Sequence, residues 1–134
     1  MPNAERQELI QAAREVSVNA AASYSGIRVG VAIRVEGGEI VTGCNVESAS
    51  YGLTCCAERV ALFSALSAGH RGFLELALVS SVKPHLVPCG ACRQLLVEYA
   101  PGIVILCAAL DDSEPIDEFR VEELLPSALS GLPG

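Results

Sequence analysis

Apolar residues recur along this chain at two different periods, and the switches between those periods outline its elements. Between residues 4 and 22 the sequence is alanine-rich, with Leu9, Ile10, Ala13 and Val16 at helical spacing, which predicts an opening helix. Ile27 to Val35 and Glu39 to Cys44 read as two strands joined by a tight turn at Glu36-Gly37-Gly38. The apolar stretch from Cys56 to Ala68, closed by Gly69, predicts a buried helix. Phe73 to Ser81 reads as a third strand, Lys83 to Pro88 as a proline-bounded loop, and Cys89 to Tyr99 as a further helix. Pro101-Gly102 interrupts the chain before Ile103 to Leu110, a continuous apolar run of the kind found in strands buried on both faces. Asp111 to Pro115 is a turn, Ile116 to Arg120 a short edge strand, and Val121 to Leu125 a last short helix. The tail from Pro126 to Gly134 is expected to be loose unless a neighbouring subunit holds it.

A hairpin followed by alternating helix and strand implies an α/β sheet, antiparallel at its start and parallel later, with helices on both faces. With no repeat, linker or low-complexity stretch in view, residues 1–134 read as a single domain. Composition adds two things. Hydrophobic residues make up 51% and charged residues 19%, an apolar balance for so small a domain, which suggests further burial in an oligomer. The formal charge of −7 argues against a nucleic-acid partner, since phosphate binding relies on clustered Lys and Arg. Every apolar stretch is broken by Gly, Asp, Glu or Pro before it reaches membrane-spanning length, so no membrane partner is expected. The start, Met1 to Glu8, is polar and unlike a signal peptide. The six cysteines are therefore expected in a reducing cytoplasm, with thiols free for metal.

The chemistry concentrates in Thr54-Cys55-Cys56-Ala57-Glu58-Arg59 and Pro88-Cys89-Gly90-Ala91-Cys92. Cys56, Cys89 and Cys92 supply three thiolates for Zn²⁺, which leaves the fourth tetrahedral position open to water, as in catalytic rather than structural sites. Glu58, two residues after the first ligand, can reach that water without binding the metal and serve as proton shuttle. Both ligand segments fall at helix starts, whose positive ends favour thiolates. Arg59, one turn after Cys56, can donate to the sulfurs and offset their charge. Cys55 competes with Cys56 for the first ligand position. Cys44 and Cys107 lie in strand patterns and read as small buried hydrophobes. His70 and His85 fall outside the motif and read as solvated loop residues. Asn45 and Glu47, one residue apart on an extended segment, share a face; taken alone they read as a polar strand end.

The runs Gly43-Cys44-Asn45-Val46-Glu47-Ser48-Ala49-Ser50-Tyr51-Gly52-Leu53-Thr54-Cys55-Cys56-Ala57-Glu58-Arg59 and Pro88-Cys89-Gly90-Ala91-Cys92-Arg93-Gln94 closely resemble the small, homotetrameric, three-cysteine class of cytidine deaminases. The likeness extends from Tyr24-Ser25 and Val29-Gly30 to Glu122-Glu123-Leu124-Leu125-Pro126. It implies a five-stranded mixed sheet in a three-layer α-β-α fold. It implies zinc-dependent hydrolytic deamination of a small-molecule nucleoside: cytidine and 2′-deoxycytidine become uridine and 2′-deoxyuridine with release of ammonia, a step of pyrimidine salvage. By the same resemblance the ligand immediately before Ala-Glu is Cys56, while Asn45 and Glu47 grip the ribose 3′-hydroxyl. Backbone groups at Ala57 and near Cys89 contact the pyrimidine, Gln94 stands behind the ligands, and a homotetramer shares its active sites between subunits. Tyr51 stays open between the pocket and a subunit contact.

The chain departs from the family pattern at two aromatic positions. Ser23 and Ile27 stand where a Pro and a Phe are usual, and Leu129 stands where a Phe follows the Leu-Pro near the C-terminus. In the family those rings pack around the pyrimidine, and each lost stacking contact is worth on the order of 1 kcal/mol. The departure raises an alternative substrate, an N4-substituted or antibiotic cytosine nucleoside. A structural-zinc or thiol-redox module would use the same cysteines but has no need of Glu58.

Overall fold

The computed structural model describes residues 3–129. Helix α1 (Ala4–Ser17) begins where the side chain of Asn3 accepts a hydrogen bond from the Arg6 N–H, an N-cap that satisfies one otherwise free helix donor. It stops five residues short of the expected span. The backbone of Ala21 is taken instead by the segment after β2: its N–H donates to Asn45 and its carbonyl accepts from Glu47, both at 2.9 Å. A helix continued to residue 22 would forfeit those bonds.

Strands β1 (Val29–Val35) and β2 (Ile40–Cys44) form the predicted hairpin, followed by helix α2 (Ala57–Ser67) and strand β3 (Phe73–Ser80). Helix α3 (Gly90–Tyr99) leads to β4 (Val104–Ala109), β5 (Asp117–Arg120) and a one-turn α4 (Val121–Leu124). The five strands run in the order β2-β1-β3-β4-β5. Only β3 and β4 pair in parallel; β4 and β5 are antiparallel, so the expectation of a sheet parallel throughout its later half holds for one ladder. The reason is the connection. Helix α3 supplies the crossover that a parallel pair needs, whereas β4 turns directly into β5 through residues 110–116, without a helix.

Side chains alternate between two cores. Val31, Ile33, Leu76, Leu78, Ile105 and Cys107 face α2 and α3, while Ala32, Ala77, Val79, Leu106 and Ala108 face α1. The face under α1 is rich in alanine, which lets a single helix seat close to the sheet. Helix α2 sits equally close on the other face because Gly43 of β2 has no side chain. A Cβ there would lie 2.5 Å from the Ala61 amide nitrogen and 2.8 Å from the Ala57 carbonyl oxygen. That contact fixes the first turn of α2 against the sheet.

Gly43→Ala should therefore destabilise the fold by about 1–3 kcal/mol through overpacking, measured as a lower denaturation midpoint in urea. An unchanged midpoint would contradict the close seating of α2.

Candidate active site

Helices α2 and α3 begin at neighbouring points, and both begin with a cysteine. Cys56 is the N-cap of α2 and Cys89 the N-cap of α3, with Cys92 three residues further on. Neither cap side chain accepts a backbone N–H of its own helix, so the sulfurs stay available while both positive helix ends point toward them. The three Sγ atoms lie within 4.8 Å of one another, with Cys56 and Cys89 3.8 Å apart and Cys89 and Cys92 3.3 Å apart. Tetrahedral zinc, with Zn–S bonds of about 2.3 Å, requires sulfurs about 3.8 Å apart. The donor set and its spacing therefore fit zinc after adjustments of about an ångström or less. Cys92 is buried, Cys56 half-buried and Cys89 exposed, an arrangement closed behind and open in front.

Cys55 does not join this cluster. Its backbone pairs with Val46 in both directions, at 2.8 and 3.0 Å, which commits it to an extended segment just before the helix. Cys44 is half-buried rather than fully buried, and Cys107 is buried, its thiol pushed up to about 12 chiefly by desolvation. The Cys56 thiol is held down to about 5, first by its hydrogen bond with Cys92 and then, against the cost of burial, by Arg59. Cys92 is raised in turn, because that hydrogen bond keeps the proton on its sulfur. The Arg59 Nη2 lies 3.6 Å from the Cys56 sulfur and donates to the Thr54 carbonyl at 3.3 Å. The cation expected beside the thiolates is there.

Glu58 is the second residue of α2 and only 5% exposed, unusual for a carboxyl group without an ion pair among the described residues. Burial above all, with the neighbouring Cys56 thiolate, pushes it up to about 7 against the opposing pull of its own backbone N–H, Cys92 and Arg59. A carboxyl poised near neutrality can both accept and donate a proton at working pH.

Asn45 and Glu47 share a face as expected, and both reach for residues 24–29. The Asn45 side chain is buried, accepts from the Val29 N–H at 2.9 Å and donates to the Ile27 carbonyl at 2.8 Å. Glu47 accepts from the Tyr24 and Ser25 N–H groups at 3.1 and 3.0 Å and from the Ser25 hydroxyl, which keeps it below the usual carboxylate range. Ser25 is a partner that residue patterns did not single out. Only its place two positions before Ile27, on the segment facing Glu47, hints at the contact. Tyr51 lies on a short 3-10 turn and, with Tyr24, Ser25, Glu47, Ser48 and Thr54, lines a cavity of about 440 Å³. Ala57 is buried at the first position of α2. Gln94 donates to the Leu129 carbonyl at 2.7 Å and thereby ties the C-terminal segment to α3. A larger groove of about 1040 Å³ lies against α1, lined in part by Arg6, Gln11, Arg14, Glu114 and Ile116, and holds none of the candidate residues.

The two histidines are not simply solvated. His70 bonds to Glu39 at 2.8 Å. The His85 side chain is only 11% exposed and bonds to Asp117 at 2.6 Å, because the loop before Cys89 folds back onto β5.

A family model described as the cytidine and deoxycytidylate deaminase zinc-binding region matches residues 3–108. The chain belongs to this family of deaminases. Among curated relatives, a cytidine deaminase of Halalkalibacterium halodurans is 41% identical over 126 residues, covering 94% of this chain and 95% of the relative. A blasticidin-S deaminase of Bacillus cereus is 33% identical over 106 residues, covering 73% of this chain and 74% of the relative. The crystal structure of a cytidine deaminase from Burkholderia pseudomallei superposes with a TM-score of 0.87 at 40% identity, over 92% of this chain and 98% of that one. The three-layer fold is thus a deaminase fold, and the deaminase motif coincides with the thiol cluster. Among the described residues, no helix of this deaminase is long and apolar enough to cross a membrane.

The buried Glu58 carries a measurable cost. In the metal-free protein its carboxyl keeps a proton up to about pH 7, but it ionises near 4.5 when unfolded. The folded state binds more protons in between, so its stability falls as pH rises from 4.5 to 7. Glu58→Gln removes that penalty and should stabilise the metal-free protein at pH 8 by up to about 3 kcal/mol, with no comparable gain at pH 4. Urea denaturation at both pH values checks this. An equal difference at the two pH values would contradict the raised carboxyl.

Proposed function

We propose that this chain is a zinc-dependent hydrolase that converts cytidine and 2′-deoxycytidine to uridine and 2′-deoxyuridine with release of ammonia, in pyrimidine salvage. The observation that carries the reading is one buried carboxyl group, Glu58, beside three converging thiols. Cys56, Cys89 and Cys92 would hold the zinc, which when bound makes a water acidic enough to be a nucleophile near neutrality. Glu58 would accept one proton from the attacking water and deliver it to ring N3, then accept the remaining hydroxyl proton and deliver it to the departing amine as the C4–N bond breaks and the C4 carbonyl forms. Its raised affinity for a proton suits both halves of that cycle. Arg59 offsets the negative charge of the thiolates, since three of them outweigh Zn²⁺ by one unit. The Ala57 backbone orients the pyrimidine, and Gln94, on the helix that carries Cys92, supports the site by holding the C-terminal segment to that helix.

Asn45 and Glu47 select the sugar. Their bonds to residues 24–29 hold the two side chains still, and each retains capacity for a hydroxyl: a carboxylate accepts several bonds and an amide has a second N–H. Exposed apolar side chains around them, including Tyr24, Val46, Tyr51 and Leu53, support a homotetramer in which subunits cover one another's sites. The six free thiols favour a reducing compartment, the cytoplasm.

A second reading concerns the substrate alone. Ile27 and Leu129, partly exposed where the resemblance puts aromatic rings, leave the base pocket without flat walls. Together with the likeness to a blasticidin-S deaminase, this favours a modified cytosine nucleoside as alternative substrate.

Loss of ultraviolet absorbance on a panel of cytidine, 2′-deoxycytidine, cytosine and an N4-substituted cytidine tests both readings. Cytidine and 2′-deoxycytidine should be turned over with cytosine a poor substrate, and Glu58→Gln should lower turnover at least about 10²-fold while retaining zinc. Substantial activity in Glu58→Gln would refute the mechanism. Preference for the N4-substituted nucleoside would favour the second reading. The tetramer has its own check, because sedimentation of a fully active monomer would rule out shared sites.

A further inference from the structure

Of the three thiols, Cys89 is the exposed one, so core packing does not fix it as it fixes Cys92. It also follows an irregular segment, residues 81–88, that runs from the end of β3 to the start of α3. Something other than burial must hold that sulfur within bonding reach of the other two. Two contacts do so, and both come from the β5–α4 unit at the edge of the sheet. Four residues before Cys89, the His85 Nε2 meets an Asp117 carboxylate oxygen at 2.6 Å. Four residues after it, Arg93 donates through Nη1 to the Leu124 carbonyl at 2.9 Å and through Nε to the Pro88 carbonyl at 2.7 Å. Cys89 is bracketed.

We propose that the His85–Asp117 pair is a clasp that positions Cys89 and sets how firmly the metal is held. Its geometry is that of a built contact. The imidazole is nearly buried, and its ring meets Phe119 edge-on at 6.5 Å with the planes 71° apart. Phe119 and Leu86 both pack against the core beneath α2 and α3, so the clasp ties the ligand loop to the layer that carries Cys56. Lys83 adds a looser fastening to Ser113 at 2.9 Å, further from the ligand. Between His85 and Cys89 stand only Leu86, Val87 and the buried Pro88, too short and stiff a stretch to absorb much movement. Release of His85 therefore transmits to the thiolate. These residues lie outside the thiol cluster and act through Cys89 as positioning residues, and the inference rests on the reading that Cys89 is a zinc ligand.

Asp117 is half-exposed on an edge strand, so its replacement leaves the core intact. The zinc-loaded parent, Asp117→Ala, His85→Gln, the double variant and a neighbouring control, Glu118→Ala, would each be mixed with a chromophoric chelator at 25 °C and zinc release timed. Glu118 pairs with Arg6 of α1, away from the ligand loop. Asp117→Ala and His85→Gln should each release zinc roughly tenfold faster, within the range that outlying supports of a metal site command. The double variant should be no faster than the quicker single one, because both remove one contact. Asp117→Glu should recover part of the loss. Cobalt-substituted Asp117→Ala should also show altered thiolate-to-cobalt charge-transfer bands, a signature that general loss of stability does not produce. Release unchanged within twofold in both single variants, or equally accelerated by Glu118→Ala, would overturn the clasp alone. A parent that holds no zinc would overturn the ligand reading and the clasp with it.

Discussion

The whole arrangement depends on two helices starting at the same place. Helix α2 is held against the sheet by the side-chain-free surface of Gly43, and α3 by its role as crossover between the parallel strands β3 and β4. Their N-termini thereby meet, and the residue at each N-cap is a cysteine. Two helix dipoles aimed at one point favour negative charge there. Thiolates and a divalent cation make a stable way to occupy such a point, since the dipoles stabilise the sulfurs and the sulfurs neutralise the metal.

The same convergence explains the buried carboxyl. Glu58 follows Cys56 by two residues, and the turn of α2 that brings the first sulfur to the cluster also carries Glu58 out of water. Burial costs stability as pH rises and gives a group able to hold or surrender a proton near pH 7. Such a local cost is tolerated when the rest of the fold, here two apolar cores on either side of the sheet, is stable enough.

Much of this was legible in the sequence because it is local. Cys56, Glu58, Cys89 and Cys92 belong to two short motifs, and the hairpin, helices and buried strand follow from apolar periods of two and 3.6. What was not legible depends on chain segments far apart. The early end of α1 is set by the pairing of Ala21 with residues 45 and 47, which nothing in residues 18–22 announces. The antiparallel β5 follows from the geometry of a connection rather than from its own four residues. His85 reads as solvated because its partner, Asp117, lies thirty-two residues away on another element. Asn45 and Glu47 read correctly as a pair on one face, but their hold on residues 24–29 emerges only when β1 and β2 are laid side by side.

The three sulfurs beside Glu58 have the makings of an open metal site rather than a closed structural one. X-ray absorption at the zinc edge tests it on the purified, unmodified protein. An open site gives one zinc per chain with three sulfur neighbours at about 2.3 Å and a single oxygen or nitrogen neighbour at about 2.0 Å. Four sulfur neighbours, drawn from Cys55 or from another chain, would mark a closed site and contradict the account.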